Sequence, residues 1–313
     1  MRIHAEQETE KDLTMHPIEV SQIAKSFGDT HAVVDVSFDV ENGEIFGLLG
    51  PNGAGKTTAI RILLDIFQPD RGKVAILGGP MSEEKKDRIG YMPEERGLYQ
   101  DIPLERCLLY LASLKGIPDQ KAQENLNDYL ERFDLAEHKS KKVKELSKGM
   151  QQKAQIINTL LHQPELIIID EPFTALDPLN LQLVKDVMME LRDQGATIIM
   201  STHQMQQVEE LCDRILLIDD GKNLLYGDLN EIRQRYSGHA VIVRTAEKLP
   251  ELAGVKDITT HNGDFKLTLQ EDTTPQDVLK TLTTKNIILE KFEIAIPDLN
   301  EIFIRVVEEG DSK

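Results

Sequence analysis

The chain has 313 residues, and its 36 Lys and Arg against 54 Asp and Glu give a formal net charge of −18 at pH 7. A chain of this length can bury a full hydrophobic core, as one large domain or two ordinary ones, without a disulfide or a structural metal. The negative charge argues against a nucleic-acid platform, because binding phosphate backbones needs a basic surface. It also disfavours direct adhesion to anionic lipid.

The two cysteines, Cys107 and Cys212, lie far apart in sequence and form no C-x-x-C pair. We expect buried thiols in a reducing compartment rather than a bridge or a zinc site. No apolar run approaches the roughly 18 residues that a membrane span needs. Residues 1–14 are polar and lack the apolar segment of a signal peptide, so we expect a disordered tail there. Any work at a membrane would then require a separate spanning chain.

The first predicted elements are strands, followed by a Gly-rich turn and a helix. Residues 18–40 show apolar residues at strand spacing, and Glu44–Leu49 is a short apolar run typical of a buried strand. The chain then enters the Gly-rich segment Gly50–Thr58. Apolar residues recur every three or four positions over Ile60–Phe67, which indicates one face of a helix. This order of elements predicts a phosphate-binding unit.

The middle of the chain alternates between helical and strand patterns. Residues 103–161 have helical periodicity, and short β-rich runs at Leu166–Asp170 and Thr197–Ser201 lie on either side of a predicted helix at Leu181–Leu191. The alternation predicts an α/β fold with a mainly parallel sheet covered by helices. The helical segment, at about residues 97–160, is then an inserted lobe.

The pattern changes after residue 237, where short strands and helices follow one another. We predict a first domain over residues 15–237 and a small α+β domain over residues 238–313. Asn262-Gly263 is a strong hairpin signal, since both residues tolerate positive φ. The predicted strands are His239–Arg244, Ile258–Thr260, Phe265–Leu269 and Ile287–Ile294, and the predicted helices are Pro275–Leu282 and Leu299–Val307.

The Gly-rich segment fits the P-loop pattern G-x-x-x-x-G-K-[ST] between a strand and a helix. Glycines let backbone N–H groups point at phosphates, and the helix N-terminus adds its positive end. Lys56 would reach the β- and γ-phosphates, and Thr57 would ligate Mg²⁺. The predicted nucleotide contacts are Gly50, Pro51, Asn52, Gly53, Ala54, Gly55, Lys56, Thr57 and Thr58.

An apolar strand that ends in two acids, Asp170 and Glu171, supplies the carboxylates that such a site needs. Asp170 would help to hold Mg²⁺, and Glu171 would polarise the attacking water.

The segment Leu146–Lys153 reads LSKGMQQK and begins a predicted helix with Ser147 as its N-cap. It precedes the double-acid strand and resembles the LSGGQ signature of the ATP-binding cassette (ABC) family. With the P-loop and the acidic pair included, the resemblance to that family extends from Ile18 to about Tyr236. The resemblance implies that Ser147, Lys148 and Gly149 cap the ATP bound by a second copy.

The resemblance also implies roles for residues outside these motifs. Ala175-Leu176-Asp177 is similar to the D-loop, which acts across a dimer, and His203 is similar to the switch histidine that contacts the γ-phosphate. Phe27 resembles the aromatic residue that stacks on adenine. The catalytic set is then Glu171, His203 and Lys56, with Asp177 among the residues that contact the nucleotide site.

Two departures from the family pattern concern charge. Glu94 stands where the family has the Q-loop glutamine, and it could still reach Mg²⁺ or its waters; Lys148 replaces a signature glycine. The segment Met92–Tyr99 resembles cassettes of the sodium- and drug-export type. Ile296–Ile304 likewise resembles the closing helix of those ATPases.

With one P-loop and one signature per chain, the resemblance implies a head-to-tail homodimer that holds two ATP. We therefore expect an ATPase subunit that drives a separate transmembrane permease in export. It should lie in the cytoplasm, peripheral on the cytoplasmic face of the cell membrane, and bind no nucleic acid. The alternative is a soluble ABC ATPase in complex assembly, such as iron–sulfur assembly. Translation-factor cassettes carry two motif sets per chain, whereas this chain has one. DNA-end cassettes insert long coiled coils, which are absent from this sequence pattern. A non-hydrolysing regulator is disfavoured because Glu171 and His203 are both present.

Overall fold

The computed structural model describes residues 16–95, 97–261, 263–270 and 272–310. The tail predicted at residues 1–14 lies outside these ranges. Contacts divide the chain into two compact units. The first comprises residues up to Gln204 together with Leu211–Tyr226, and the second comprises Met205–Glu210 together with residues from Gly227 onward. The domain boundary expected at residue 237 stays a prediction.

Within the described residues, nine strands form one sheet in the spatial order β4-β1-β2-β9-β8-β3-β7-β6-β5. The strands are β1 (Ile18–Phe27), β2 (Thr30–Val40), β3 (Ile45–Leu49), β4 (Arg71–Ile76), β5 (Ile89–Met92), β6 (Leu166–Asp170), β7 (Thr197–Thr202), β8 (Arg214–Asp219) and β9 (Lys222–Asp228).

The sheet is mixed, so the α/β class is confirmed but the expectation of a mainly parallel sheet is too simple. β3 pairs in parallel with β7 and β8, and β6 pairs in parallel with β5 and β7, whereas β1 pairs antiparallel with β2 and β4. A tight turn containing Gly28, at φ 59°, joins β1 to β2. That turn is too short for the crossover that parallel neighbours require.

Helices of the first unit pack against this sheet or against one another. They are α1 (Lys56–Leu63), α2 (Glu83–Lys86), α3 (Leu104–Leu114), α4 (Asp119–Arg132), α5 (Lys148–Leu160) and α6 (Pro178–Asp193). Helices α3, α4 and α5 pack against one another. Helix α1 ends before Phe67, earlier than its apolar pattern indicates, because Asp65 takes a left-handed conformation at φ 60°. Cys107 and Cys212 are both buried free thiols, as predicted.

The parallel strands place the chemistry-bearing loops at one edge. β3, β6 and β7 are each almost completely buried, and their carboxyl ends lead into Gly50, Glu171 and His203. Parallel neighbours point the same way, so these three loops meet where the strands end. No helix in the described part of the chain is long and apolar enough to cross a membrane.

The second unit has a four-stranded sheet in the order β11-β12-β10-β13. Its elements are α7 (Met205–Leu211), α8 (Leu229–Arg235), β10 (Ala240–Arg244), β11 (Val255–His261), β12 (Asp264–Leu269), α9 (Pro275–Thr284), β13 (Lys291–Ile294) and α10 (Leu299–Gly310). One sheet face, with Val243 and Leu267, forms a small core with Leu282 of α9. β11 and β12 form the predicted hairpin, with Gly263 at φ 84°, although Asn262 lies outside the described residues.

Candidate functional site

The P-loop conformation depends on glycine at two positions. Gly50 and Gly55 have φ of 147° and 107°, where other residues are strained. A Cβ added at Gly50 would stand 2.1 Å from the carbonyl oxygen of Ile218, and one at Gly55 would stand 2.4 Å from that of Ala32. The loop therefore holds its shape because β8 and β2 pack directly against its backbone.

Lys56 begins helix α1 and is only 7% exposed. Its ammonium donates to the carbonyl oxygens of Gly50 at 2.8 Å and Pro51 at 3.1 Å. Burial lowers the pKa of Lys56, while nearby carboxylates, Glu171 foremost, oppose that shift. The P-loop thus places the buried Lys56 ammonium near several carboxylates. This arrangement suits a phosphate group that binds together with a metal ion.

Asp170 joins the P-loop to the end of β6 and is 1% exposed. Its Oδ2 accepts from the Thr57 hydroxyl at 3.0 Å, and its Oδ1 accepts from the Ser201 hydroxyl. Both carboxylate oxygens are therefore fixed by hydroxyl groups from two other elements. The carboxylate is therefore held in one orientation beside the Thr57 hydroxyl.

Glu171 is 7% exposed, yet its carboxylate faces the cleft. Its Oε1 accepts from the His203 backbone N–H at 3.1 Å and lies 2.7 Å from His203 Nδ1, and its Oε2 accepts from the Thr202 hydroxyl at 3.1 Å. Glu171 also has φ 53°, which is uncommon outside glycine and asparagine and costs roughly 1 kcal/mol or more. The surroundings hold this carboxylate in one orientation beside the P-loop.

Most of the predicted site residues meet in a single open cleft of ≈400 Å³. The predicted residues that line it are Asn52, Gly53, Gly55, Lys56, Thr57, Thr58, Glu94, Asp170, Glu171 and His203. Ala32 and Thr174 also line it and were not predicted. The His203 side chain is 53% exposed, so it lies between the cleft and solvent.

Other predicted contacts lie outside the lining of this cleft. They are Phe27, Gly50, Pro51, Ala54, Ser147, Lys148, Gly149 and Asp177. Phe27 is 45% exposed and packs edge-on against Phe67, with ring centroids 5.2 Å apart. The Lys25 ammonium lies 5.6 Å from the centre of the Phe27 ring, so one ring face already has a neighbour.

The signature segment forms the exposed start of helix α5. Ser147 is its N-cap, as predicted, and its hydroxyl accepts from the Met150 N–H at 3.2 Å. A Cβ at Gly149 would stand 3.0 Å from the carbonyl oxygen of Ala175, so the helix start approaches the segment after the acidic pair. Ser147 and Lys148 themselves are exposed. Asp177 caps helix α6 in the same way, accepting from the Asn180 N–H at 3.0 Å.

Two glutamines of α5 connect these parts and were missed from the sequence. Gln152 donates to the carbonyl oxygens of Glu171 at 3.2 Å and Pro172 at 3.1 Å. Gln155 donates to the carbonyl oxygen of Pro93 at 2.8 Å, next to Glu94. Both are nearly buried, at 5% and 3% exposed. The available signal was that they fall among the apolar residues of an amphipathic helix, where an amide must find a partner.

The oxygens near Thr57 suit a hard cation. Mg²⁺ is usually bound through one or two carboxylates together with substrate phosphates and water. The Thr57 hydroxyl and Asp170 form such a donor pair, and Glu94 lines the same cleft. Among the residues that the structure describes, no group of three or more His, Cys, Asp or Glu could hold a metal without other ligands. The donor set therefore fits a metal that arrives with a nucleotide.

A mixed α/β sheet with a P-loop after β3 and an acidic pair after β6 defines a P-loop ATPase with a helical lobe. The family described as ABC transporter matches residues 33–174, and the family described as the C-terminal domain of the DrrA1-3-like ATP-binding protein matches residues 227–307. The chain belongs to the ABC transporter ATP-binding proteins, a family characterised by ATPase activity and by work with membrane components.

Three relatives show this similarity. The uncharacterized ABC transporter ATP-binding protein YhaQ of Bacillus subtilis is 39% identical over 292 residues, which cover 92% of this chain and 97% of YhaQ. Nod factor export ATP-binding protein I of Rhizobium sp. (strain N33) is 37% identical over 228 residues, covering 72% of this chain and 75% of that protein. A solved ATP-binding subunit of an ABC transporter superposes with a TM-score of 0.66 at 33% identity, covering 70% of this chain and 92% of that one.

Proposed function

We propose that this chain is the ATP-hydrolysing subunit of an ABC exporter, with Glu171 as the residue that activates water. The observation that carries the proposal is the fixed Glu171 carboxylate, held by His203 and Thr202 within the cleft that the P-loop lines. A carboxylate so placed accepts a proton from water as the water oxygen attacks the γ-phosphorus and ADP leaves. His203, which borders the same cleft, contacts the γ-phosphate in this proposal.

The P-loop residues bind the phosphates. Lys56 exchanges its bonds to the carbonyl oxygens of Gly50 and Pro51 for phosphate oxygens, and the backbone N–H groups over Gly53–Thr58 surround the anion. Thr57, Asp170 and Glu94 would hold Mg²⁺, which would neutralise part of the phosphate charge. Phe27 stacks on the adenine with its remaining open face.

The exposed signature and D-loop support a proposal of head-to-tail dimerisation. Ser147, Lys148, Gly149 and Asp177 lie outside the cleft lining, while Ser147 caps helix α5, whose N-terminus suits an anion. A second copy would place these groups over the nucleotide of the first. Each of the two sites would then take its P-loop from one copy and its signature from the other.

The permease partner, the export direction and the location on the cytoplasmic face of the membrane are also proposals. Supporting them is the similarity to an export ATP-binding protein and the match of the C-terminal segment to an ATP-binding protein domain. The acidic composition supports the absence of a nucleic-acid partner.

Mixing two inactive variants tests the shared site. Lys56→Ala disables the P-loop and Ser147→Arg blocks the signature, so each homodimer should lose turnover by about 100-fold. A mixed dimer contains one doubly damaged site and one intact site, and phosphate release should recover on mixing. Mixing Lys56→Ala with Glu171→Gln, which damages the same half, should give no recovery. Absence of recovery in the first mixture would contradict a site shared between copies.

A further inference from the structure

Helix α5 contributes a buried amide to the loop that carries Glu94. The Gln155 side chain is 3% exposed, and its Nε2 donates to the carbonyl oxygens of Pro93 at 2.8 Å and Glu95 at 3.2 Å. These carbonyls belong to the residues immediately before and after Glu94. One side chain therefore holds the backbone on both sides of Glu94, just beyond the end of β5.

The other end of the same amide shows what the side chain is for. Within the described residues, Gln155 Oε1 is buried and accepts no hydrogen bond. A buried acceptor without a partner costs free energy, and an apolar side chain at this position would avoid that cost. Turning the amide over would place Oε1 against the two carbonyl oxygens, so the loop determines the orientation of the amide. Gln155 therefore serves the loop rather than the packing of α5.

Glu94 needs such a restraint because it is exposed and borders two cavities. One cavity is the nucleotide cleft, where burial lowers the pKa of Lys56 and Glu94 is among the carboxylates that oppose this shift. The other is a smaller cavity of ≈230 Å³, and Arg61 lines it. A flexible carboxylate with a cation on either side takes one position only if its backbone is fixed.

The helix that supplies the amide is itself attached to the catalytic strand. Gln152 donates to the carbonyl oxygens of Glu171 at 3.2 Å and Pro172 at 3.1 Å. Residues three positions apart lie on one face of a helix, so Gln152 and Gln155 project from the same side of α5. One rigid element thus contacts the backbone after β6 and the backbone after β5. The Glu94 loop is held relative to Glu171.

We propose that Gln155 is a positioning residue that keeps Glu94 in the metal-binding part of the nucleotide cleft. Its two donated bonds restrict the backbone around Glu94, and the carboxylate then lies on the side of Thr57 and Asp170. Removing a group that orients a metal ligand typically lowers metal affinity by about 10- to 100-fold. The inference rests on the proposed function, in which Glu94 helps to hold Mg²⁺.

The variant Gln155→Met tests the inference, because it keeps the length of the side chain and removes both donated bonds. The fluorescent analogue mant-AMPPNP is not hydrolysed, so titrating it into the full chain reports binding alone. The ratio of its dissociation constants in EDTA and in excess Mg²⁺ is the magnesium enhancement. Gln155→Met should lower this enhancement by about tenfold and leave the dissociation constant in EDTA unchanged.

The matched control is Thr159→Val. Thr159 is 2% exposed one turn further along the same face of α5, and its hydroxyl donates within the helix to the Gln155 carbonyl oxygen at 3.0 Å. Losing this buried hydrogen bond should leave the magnesium enhancement unchanged, because it does not reach the Glu94 loop. Native binding in EDTA shows that a variant is folded. If Gln155→Met does not fold, Gln155→Leu takes its place.

The variant Glu94→Gln separates the inference from the proposed function. It should lower the enhancement at least as much as Gln155→Met, whereas Glu95→Gln, at the neighbouring exposed acid, should not. Combining Gln155→Met with Glu94→Gln should give no further loss, because no carboxylate remains to be positioned. An unchanged enhancement in Glu94→Gln would overturn the metal role of Glu94 and this inference with it. A loss in Glu94→Gln but none in Gln155→Met, or additive losses in the double variant, would overturn the inference alone.

Discussion

The nucleotide cleft and the signature region differ in how completely a single chain builds them. In the cleft, Asp170 and Glu171 are buried, and each oxygen of these two carboxylates accepts a hydrogen bond. In the signature region, Ser147 and Lys148 are exposed and only the backbone of the helix start is capped. In the proposed dimer, the preorganised half of one chain binds the nucleotide and the exposed signature of a second copy completes the site. Nucleotide binding should then need one chain, and turnover should need two.

The largest expected effect comes from neutralising the carboxylate of the preorganised half. Glu171→Gln should lower ATP turnover by about 100-fold or more, because the amide cannot accept the proton of water. ATP affinity should remain, since the variant keeps the same size and can still accept from His203. Phosphate release measures the turnover. Size-exclusion chromatography with light scattering measures the ATP-dependent dimer that we expect.

A matched control for this change is Glu165→Gln. Glu165 precedes β6 at the opposite end of the strand and pairs with Arg88 at 2.6 Å. The turnover of Glu165→Gln should equal that of the native chain. Native turnover in Glu171→Gln would contradict the assignment of Glu171 as the residue that activates water.

An intermediate effect is expected where α5 contacts the start of α6. The buried Lys153 ammonium donates to Asn180 Oδ1 at 3.0 Å, and burial lowers the pKa of Lys153. Asn180→Leu removes this acceptor and should lower the free energy of unfolding by about 2 kcal/mol. Turnover should fall while the ATP affinity of the single chain stays unchanged, because the contact lies in the signature half.

The control for this contact is Gln182→Leu, an exposed position on the same helix, which should change stability by less than about 0.5 kcal/mol. Denaturant unfolding and nucleotide titration report the two quantities separately. An equal loss of ATP affinity and turnover in Asn180→Leu would mean that the two halves are not separable.

The smallest effect on turnover concerns a buried carboxylate, Glu44, that serves neither half. Burial raises the pKa of Glu44 to about 7, although Arg214 and the Glu41 N–H oppose the shift. The folded state therefore binds more protons than the unfolded state between pH 4.5 and about 7, so stability falls as pH rises through that window and then levels. From pH 5 to pH 8 the native chain should lose about 2 kcal/mol relative to Glu44→Gln, which does not titrate. Parallel stability profiles of the two proteins would contradict this assignment.

Local motifs explain why so much of the cleft could be predicted. Gly50–Thr58 carries loop, lysine and helix start in nine consecutive residues, and Asp170-Glu171 follows its own strand. The partners of these groups could not be predicted in the same way. Thr202 reaches Glu171, and Ala32 packs under Gly55, only because distant strands are neighbours in the sheet.

Strand direction was the weaker part of the fold prediction for the same reason. The antiparallel position of β4 beside β1 is set by pairing across the sheet, which apolar spacing does not encode.

The insertion of residues 205–210 into the second unit constrains any exchange of modules between relatives. The backbone passes from one unit to the other at 204–205, 210–211 and 226–227, and Glu209 of α7 accepts from the Leu299 N–H at 2.5 Å. A chimera spliced at one point would leave α7 with a foreign partner, two residues beyond His203. Grafting must therefore transfer the short helix together with the C-terminal segment, and natural recombination at a single site would meet the same barrier.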